Sequence, residues 1–136
     1  MSDNAIISTA RQAHDTMIAD ESSVRFDGIR RLYGSSAYEI LAQLHISVVG
    51  IGGVGSWAVE ALARTGVGQL TLIDHDDISL GNMNRQLLTL NQTLGQYKVL
   101  VMAERVAQIN PTCMTHPIDD MLILNNIPRY LETGFD

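Results

Sequence analysis

The pattern of apolar and polar positions predicts a strand, a turn, a helix and a second strand in the middle of the chain. A β-branched apolar run begins at Ile46 and stops at a glycine-rich segment, Gly50-Ile51-Gly52-Gly53-Val54-Gly55. Apolar positions at helical spacing follow from Ser56 to Arg64, and a second apolar run, Leu70–Ile73, ends at Asp74. This order of elements is typical of the βαβ unit that binds dinucleotides.

The glycine turn has a physical basis for binding a phosphate. Gly50 permits a tight turn out of the strand, Gly52 lets a phosphate approach the backbone, and Gly55 lets the helix pack close to the strand. The helix N-terminus adds free N–H groups and the positive end of its dipole. Asp74 follows about 20 residues after the last glycine, where a carboxylate accepts hydrogen bonds from ribose hydroxyls. We therefore expect nucleotide binding rather than a merely structural turn.

The remaining pattern predicts flanking helices and one more strand. These elements are helices over residues 9–19, 23–34, 35–44, 95–110 and 121–132, and a strand over residues 112–118. Ser35 or Ser36 is the expected N-cap of the third of these helices, and Trp57 is expected in the core. The fold class is α/β, a Rossmann-like parallel sheet with flanking helices that stops after its third β-α unit. Such a sheet leaves its first strand open on one side, so we expect a fragment or a sheet completed by something else.

Composition excludes several classes of function. The net charge of −6 argues against a nucleic-acid-binding surface spread over the chain. No apolar stretch is long enough to span a membrane, and the polar N-terminus does not resemble a signal peptide, so the expected compartment is the cytoplasm. The single cysteine, Cys113, excludes an intrachain disulfide and a Cys-pair zinc site within the chain. We interpret it as a core residue rather than a sulfur-transfer nucleophile.

Charged and polar residues after the second strand are candidates for binding. Asp76 could join Asp74 around a divalent cation, but ordinary loop acids are commoner, so no metal ligand is assigned. Asn82 could bind backbone groups in a turn. Lys98 falls near the start of a helix, where a cation opposes the helix dipole unless an anion lies between it and the glycine turn. Arg85 is the natural second cation, since its planar fork suits phosphate oxygens.

Three motifs, GxGGxG, LIDxDxxSxxNxNRQ and GQxKxxxxxxRxxxINP, are more specific than a general Rossmann pattern. From about Arg25 to Pro111 they resemble the ThiF/MoeB/HesA family, the bacterial relatives of ubiquitin-activating enzymes. The resemblance implies an enzyme that binds ATP with Mg²⁺ and adenylates a carboxylate, releasing pyrophosphate. It divides the chain into an N-terminal helical arm, residues 1–34, and the ATP-binding Rossmann-like half of a ThiF-type domain, residues 35–136.

The resemblance also assigns roles to residues. Those expected at the nucleotide are Gly50, Gly52, Gly53, Gly55, Asp74, Asp76, Asn82, Arg85, Lys98 and Arg25. Arg85 and Lys98 would be the catalytic pair at the phosphates, and Asp74 would hold the ribose. The family uses an arginine from the N-terminal arm of a partner protomer, which implies a homodimer. Arg25 is the match, with Arg31 as the substitute because Gly28 replaces the second arginine of the family's motif.

Within the family, RLYG, VVGIGGVGSWAVEALARTGVG, NxNRQ and VMAERVAQINP are most similar to one subgroup. Its members are ATP-dependent dehydratases that cyclise threonylcarbamoyladenosine in tRNA through an adenylated carboxylate. The resemblance therefore implies a tRNA substrate, with a sulfur-transfer protein as a further candidate partner. The family's magnesium-handling acid is expected just after Asp136, so we do not expect this chain to complete the chemistry alone.

Three other functions stay open. The first is an adenylyltransferase that activates the C-terminus of a ubiquitin-like sulfur-carrier protein at the same site. The second is a dehydrogenase domain with NAD on Asp74, although such a domain has no reason to carry Arg85 and Lys98 at these spacings. The third is a module that binds nucleotide or dimerises without turnover.

Overall fold

The structure, a computed structural model, describes residues 12, 21, 23–132 and 134–136. It contains one parallel sheet of three strands in the order β1-β2-β3. The strands are β1 (His45–Val49), β2 (Gln69–Ile73) and β3 (Met114–Ile118). Their register runs from His45 opposite Gln69 to Val49 opposite Ile73, and from Gln69 opposite Met114 onwards. The predicted Rossmann-like parallel sheet is confirmed.

Residues 23–25 are helical, and after Phe26 five α-helices and one short 3₁₀-helix accompany this sheet in the described part of the chain. They are α1 (Asp27–Tyr33), α2 (Ser35–Leu41), α3 (Gly55–Thr65), the 3₁₀-helix (Leu80–Asn82), α4 (Lys98–Ile109) and α5 (Ile127–Leu131). The predicted βαβ unit and the predicted helix over 95–110 are confirmed. The helix predicted over residues 9–19 lies, apart from residue 12, outside the described residues.

The core lies between the sheet and the helices α3 and α4. Strand β2 is central, so its residues Leu70 and Leu72 are fully buried, and Val59 of α3 and Met102 of α4 are buried in the same cluster. Burying an apolar side chain of this size contributes roughly 1.5–3 kcal/mol to the free energy of folding. The apolar face of α4 thus has the helical spacing because every third or fourth residue meets this cluster.

A buried carboxylate joins the two core helices. Glu60 of α3 accepts hydrogen bonds from Arg105 of α4 at 2.5 and 3.0 Å, and from Arg64 Nε at 2.8 Å. These guanidinium groups hold the pKa of the Glu60 carboxyl below its ordinary value, with the Arg105 hydrogen bond as the largest cause. The pairing lets a charged residue lie in a largely buried position.

Helices α1 and α2 pack at the end of α3. Phe26 precedes α1 and is 2% exposed, and its ring stacks on Tyr38 of α2 with centroids 5.7 Å apart. Both rings lie against Gly66, whose φ of +91° ends α3 in the left-handed conformation. The predicted helix over 23–34 therefore docks through Phe26, whereas Leu32 and Tyr33 are exposed.

Two helix predictions were wrong in detail. Neither Ser35 nor Ser36 caps α2, because the N-cap residue is Gly34 without a side-chain hydrogen bond, and the helix ends at Leu41. The helix expected over 121–132 is confined to Ile127–Leu131. Before it, Asn126 accepts a hydrogen bond from the Ile123 amide at 2.8 Å and donates to the Met121 carbonyl at 2.9 Å. These side-chain bonds replace helical backbone bonds in that segment.

The first strand has a strand neighbour on one side only among the described residues. On its other side, the backbone N–H of Asp136 donates to the His45 carbonyl at 3.0 Å, and the His45 N–H donates to the Asp136 carboxylate at 3.0 Å. The predicted open side of β1 is thus confirmed, and Phe135 and Asp136 lie against His45 there. Within the described ranges, no helix has the length and apolar character required to cross a membrane.

Candidate functional site

The carboxyl ends of the three strands meet at one edge of the sheet, and the glycine turn lies there. Gly50 has a φ of +85° and donates its N–H to the Ile73 carbonyl at 2.8 Å. A Cβ on Gly55 would lie 1.7 Å from the Gly50 carbonyl oxygen. Any side chain at Gly55 would therefore push α3 away from the turn, and the sequence-based reason for these two glycines is confirmed.

Asp74 ties the glycine turn to the loop after β2. One carboxylate oxygen accepts the N–H of Ile51 at 2.5 Å, and the other accepts the N–H of Asp76 at 2.8 Å. The side chain remains partly exposed. It borders a cleft of about 310 Å³ whose other lining residues include Gly50 and Asp120. Asp74 thus positions the turn, and it lies beside a space in which its oxygens are accessible to a ligand.

Lys98 is a buried cation held at the same edge. Its side chain is 4% exposed, and its Nζ lies 2.8 Å from Asp76 Oδ2, while its backbone N–H donates to the Asp76 carbonyl. The Lys98 hydrogen bond is the largest cause that holds the pKa of the Asp76 carboxyl below its ordinary value. Burial of an ammonium group is costly without such a partner. Asp76 therefore fixes the orientation of the Lys98 side chain.

Arg85 lies over the glycine turn. Its Cγ is 3.3 Å from the position that a Cβ on Gly53 would occupy. Its Nη1 donates to Asn84 Oδ1 at 2.9 Å and to the Gly81 carbonyl at 3.3 Å. The structure thus brings Arg85 together with the turn, with most of the guanidinium available to an anion.

Trp57 is not a core residue, which corrects the prediction. It is 54% exposed, and its indole N–H donates to the Arg85 carbonyl oxygen at 3.1 Å. The inward positions of α3 are taken by smaller residues such as Val59 and Ala63. Trp57 lies in the first turn of α3 on the side of the 79–86 segment, where it holds the backbone of Arg85. Helical periodicity gave no signal for this contact.

Asn82 acts in a local turn. Its Oδ1 accepts hydrogen bonds from the backbone N–H and the hydroxyl of Ser79 at 3.3 and 3.0 Å, which forms a capping box on the 3₁₀-helix. The turn-forming interpretation is confirmed for this oxygen. Contact between Asn82 and a phosphate stays a prediction.

Arg25 lies far from the glycine turn of its own chain. It donates from Nη1 to the Ile109 carbonyl at 3.0 Å, at the end of α4 opposite to Lys98. A helix of 12 residues is about 18 Å long. Arg31 is paired with Asp27 at 3.0 Å and is exposed. The structure therefore does not bring either arginine to this turn, and a role in a partner protomer's site stays a prediction.

The acidic residues of the site do not form a ready metal centre. Asp74, His75 and Asp76 each offer a ligand atom within 4.8 Å of the others. However, both oxygens of Asp74 already accept backbone N–H groups, and Asp76 is paired with Lys98. Mg²⁺ usually takes only one or two protein carboxylates and completes its shell with substrate phosphates and waters rather than with an all-protein set of ligands. These residues therefore do not fit a dedicated magnesium site.

Comparison with known proteins identifies the family. The model of the ThiF family matches residues 27–136. The chain belongs to the ThiF family. The resemblance of its three motifs is thereby confirmed.

The individual relatives of this ThiF-family chain include a tRNA-modifying enzyme and an adenylyltransferase. It is 50% identical over 119 residues to tRNA threonylcarbamoyladenosine dehydratase of Escherichia coli, covering 88% of this chain and 44% of the relative. A crystal structure of the E. coli enzyme in complex with ATP superposes with a TM-score of 0.85 and 51% identity, covering 87% of this chain and 49% of that one. Molybdopterin-synthase adenylyltransferase of Salmonella typhimurium is 37% identical over 107 residues, covering 77% of this chain and 43% of the relative. The chain thus spans less than half the length of these curated relatives.

Cys113 has no feature of a sulfur-transfer nucleophile in this ThiF-family chain. Its side chain is half-buried and packs against the core cluster. Burial raises the pKa of the thiol to about 11. The thiolate is the reactive form of cysteine, so this thiol is poorly suited to nucleophilic attack near neutral pH. Cys113 thus packs against the core as predicted, although its side chain is only partly buried, and the absence of a sulfur-transfer role stays a prediction.

Proposed function

We propose that this chain is the nucleotide-binding part of an ATP-dependent dehydratase that cyclises threonylcarbamoyladenosine in tRNA through an adenylated carboxylate. One observation carries the proposal. Arg85 lies over the glycine turn, and Lys98 is paired with Asp76 in the loop that Asp74 joins to that turn, in a chain that is 50% identical over 119 residues to the E. coli dehydratase. The crystal structure of that relative contains ATP.

Each site residue has a role in the proposed ATP complex. The backbone of Gly50, Gly52, Gly53 and Gly55 and the N-terminus of α3 receive the phosphates. Asp74 accepts the ribose hydroxyls, with Asp76 orienting Lys98. Arg85, Lys98 and Asn82 bind the phosphate oxygens.

The chemistry explains why a dehydratase would use ATP. Hydroxide is a poor leaving group, whereas AMP is a good one, so adenylation activates the carboxylate toward attack by the carbamoyl nitrogen. Negative charge grows on the α-phosphate and on the departing pyrophosphate. Cations that are held in place before the reaction stabilise such charge without reorganisation. Lys98 is fixed by burial and by Asp76, and we assign it and Arg85 as the catalytic pair.

Mg²⁺ belongs to the proposal as a companion of ATP, where it would neutralise phosphate charge. The described acids do not fit a dedicated site, so we assign no metal ligand in this chain. The division into a helical arm, residues 1–34, and an ATP-binding half, residues 35–136, is likewise part of the proposal.

The proposal includes a homodimer in which Arg25, or Arg31 in its place, reaches the phosphates of the partner protomer. With a net charge of −6, this chain alone offers little attraction for a polyanion. The surface for tRNA would therefore be formed mostly by residues outside this segment or by the dimer. A tRNA substrate also implies action in the cytoplasm.

The test follows AMP release by the full-length protein with ATP, Mg²⁺ and bulk tRNA that lacks the cyclised base. AMP that appears only with the tRNA supports the dehydratase. A second candidate is an adenylyltransferase acting on a ubiquitin-like sulfur carrier, which is favoured by the 37% identity to the Salmonella enzyme. It predicts pyrophosphate exchange only with a carrier ending in Gly-Gly, and a sulfur-transfer protein as partner. AMP or pyrophosphate exchange with the carrier, and none with tRNA, would replace the first proposal.

A further inference from the structure

Three arginines line one pocket at the end of the core helices, far from the glycine turn. Arg64 comes from the last turn of α3, and Arg105 comes from the second half of α4. The pocket has a volume of about 380 Å³, and its lining residues are Arg25, Phe26, Arg64, Arg105, Gln108 and Ile109. No acidic residue belongs to this described lining. The pocket therefore presents positive charge at a place that the nucleotide site of this chain does not occupy.

The carboxylate of Glu60 uses only part of the hydrogen-bonding capacity of Arg64 and Arg105. It accepts from Nε and Nη2 of Arg105 and from Nε of Arg64, whose Nη2 lies 2.7 Å from Oε1. Each guanidinium carries five N–H donors. No described residue accepts from the Nη1 group of either arginine. Both side chains therefore keep N–H donors that can serve a ligand in the pocket.

A purely structural role would not require both of these arginines. Arg105 alone gives Glu60 a fork of two hydrogen bonds, at 2.5 and 3.0 Å, and it joins α4 to α3. Arg64 adds a pair with Glu60 on its own helix, and its side chain is 61% exposed. Such pairs within a helix contribute only about 0.3–0.5 kcal/mol. Arg64 is therefore the residue whose replacement tests the pocket rather than the fold.

The charge balance of the pocket favours an anion. The three arginines bring three positive charges, and Glu60, which is 8% exposed, returns one negative charge. Glu21 lies 3.7 Å from Arg25, but it is largely exposed to water and salt, which screen its charge. The ends of α3 and α4 add about half a negative charge each. Arg25 offsets part of this by donating to the last carbonyl of α4 at 3.0 Å, so an excess of positive charge remains.

We infer that this pocket binds a phosphate group of the tRNA backbone, with Arg64 and Arg105 as its two guanidinium donors. The inference rests on the proposed function, because it gives a place to the tRNA substrate. It does not depend on Arg25, since the proposed homodimer directs Arg25 or Arg31 to the phosphates of the partner protomer. Planar guanidinium forks suit phosphate oxygens, which accept paired N–H bonds.

A local group of cations is what an acidic chain needs in order to contact a polyanion. The net charge of −6 gives no general attraction for RNA, so a contact within this segment depends on arginines that are gathered in one place. Backbone contacts position a nucleic acid without reading its sequence. The pocket is separated from Lys98 by most of the length of α4, about 18 Å. It would thus hold the body of the tRNA while the modified adenosine lies at the nucleotide site.

The test measures the affinity of the full-length protein for labelled tRNA that lacks the cyclised base, by fluorescence anisotropy at several salt concentrations. Arg64→Met should bind this tRNA about threefold to tenfold more weakly, and the slope of log affinity against log salt should become shallower by about one. Arg64→Lys should keep the slope of the parent but lose part of the affinity, because an ammonium group cannot form the fork. Calorimetry should give both variants the ATP affinity of the parent.

The matched control is Arg129→Met, which removes one positive charge from an exposed residue of α5. It should keep the tRNA affinity and the salt slope of the parent. Equal values for Arg64→Met and Arg129→Met would overturn the inference, since Arg64 would then only pair with Glu60. An equal loss of ATP and tRNA affinity in Arg64→Met would also overturn it, because the effect would be structural.

Inorganic phosphate distinguishes an RNA contact from a site for a small anion. If Arg64→Met loses calorimetric binding of inorganic phosphate but keeps the tRNA affinity of the parent, the pocket is a small-anion site and the inference is wrong. A parent protein that binds no tRNA would overturn the proposed function first, and this inference with it. A parent that binds tRNA independently of Arg64 would leave the proposed function standing and remove the inference alone.

Discussion

Replacement of Lys98 by methionine should weaken ATP binding while it changes the free energy of unfolding only slightly. The ammonium group is buried, but its partner Asp76 is 52% exposed and can be solvated when left alone. Loss of an ion pair with an exposed partner costs about 0–1 kcal/mol, and removal of a buried charge offsets part of that cost. We therefore expect the free energy of unfolding to change by less than about 1 kcal/mol.

ATP binding should respond much more strongly to Lys98→Met. A charge-assisted contact to phosphate is worth about 1–3 kcal/mol, which corresponds to roughly 5- to 150-fold in Kd. Calorimetric titration with ATP measures the affinity, and urea unfolding followed by circular dichroism measures the stability. Adenosine affinity should be unchanged, because the nucleoside has no phosphate.

The matched control is Arg64→Met, which removes one positive charge at the far end of α3. Glu60 keeps its hydrogen bonds from Arg105 in that variant. Its ATP affinity should equal that of the parent. If Lys98→Met binds ATP as tightly as the parent, the placement of the phosphates between Lys98 and the glycine turn is wrong.

Four further changes test separate parts of the structure. Asp74→Ala should weaken the binding of adenosine as well as ATP, and it should lower the free energy of unfolding by about 1–3 kcal/mol because two backbone N–H groups lose their acceptor. A loss of affinity that calorimetry finds for ATP but not for adenosine would argue against a ribose role. Trp57→Phe should weaken ATP binding by about 0.5–1.5 kcal/mol, because the Arg85 carbonyl loses its donor, and an unchanged Kd would show that this contact does not position Arg85. Gly55→Ala should give little folded protein by circular dichroism, since its Cβ would overlap the Gly50 carbonyl, and a parent-like melting temperature would refute the close approach. The pKa of Glu60 is lowered in the fold, so its contribution to stability is present above about pH 4.5 and is lost as the pH falls through the folded-state pKa. Urea unfolding across this pH range should therefore show a smaller acid-induced loss of stability for Glu60→Gln than for the parent.

The βαβ unit could be predicted because local sequence determines it. Gly50 and Gly55 are required by a backbone conformation and a close approach, which leave a fixed spacing in the sequence. The apolar spacing of α4 likewise follows from burial against one face of the sheet. Lys98 was predicted near the helix start, but the sequence could not show that it is buried or that Asp76 holds it.

The errors arose where side-chain contacts override periodicity. Trp57 fits the apolar pattern of α3, yet its indole N–H binds a carbonyl 28 residues away. The segment before α5 has apolar spacing suited to a helix, but Asn126 binds its backbone instead. Such contacts leave no periodic signal in one sequence.

A crystal structure of the full-length protein soaked with ATP tests the central claim most directly. The account predicts the triphosphate at the glycine turn, with Arg85 and Lys98 within hydrogen-bond distance of its oxygens and the ribose on Asp74. A nucleotide that is bound elsewhere on the protein, or with its ribose at Arg85 and its phosphates turned away from Lys98, would contradict it.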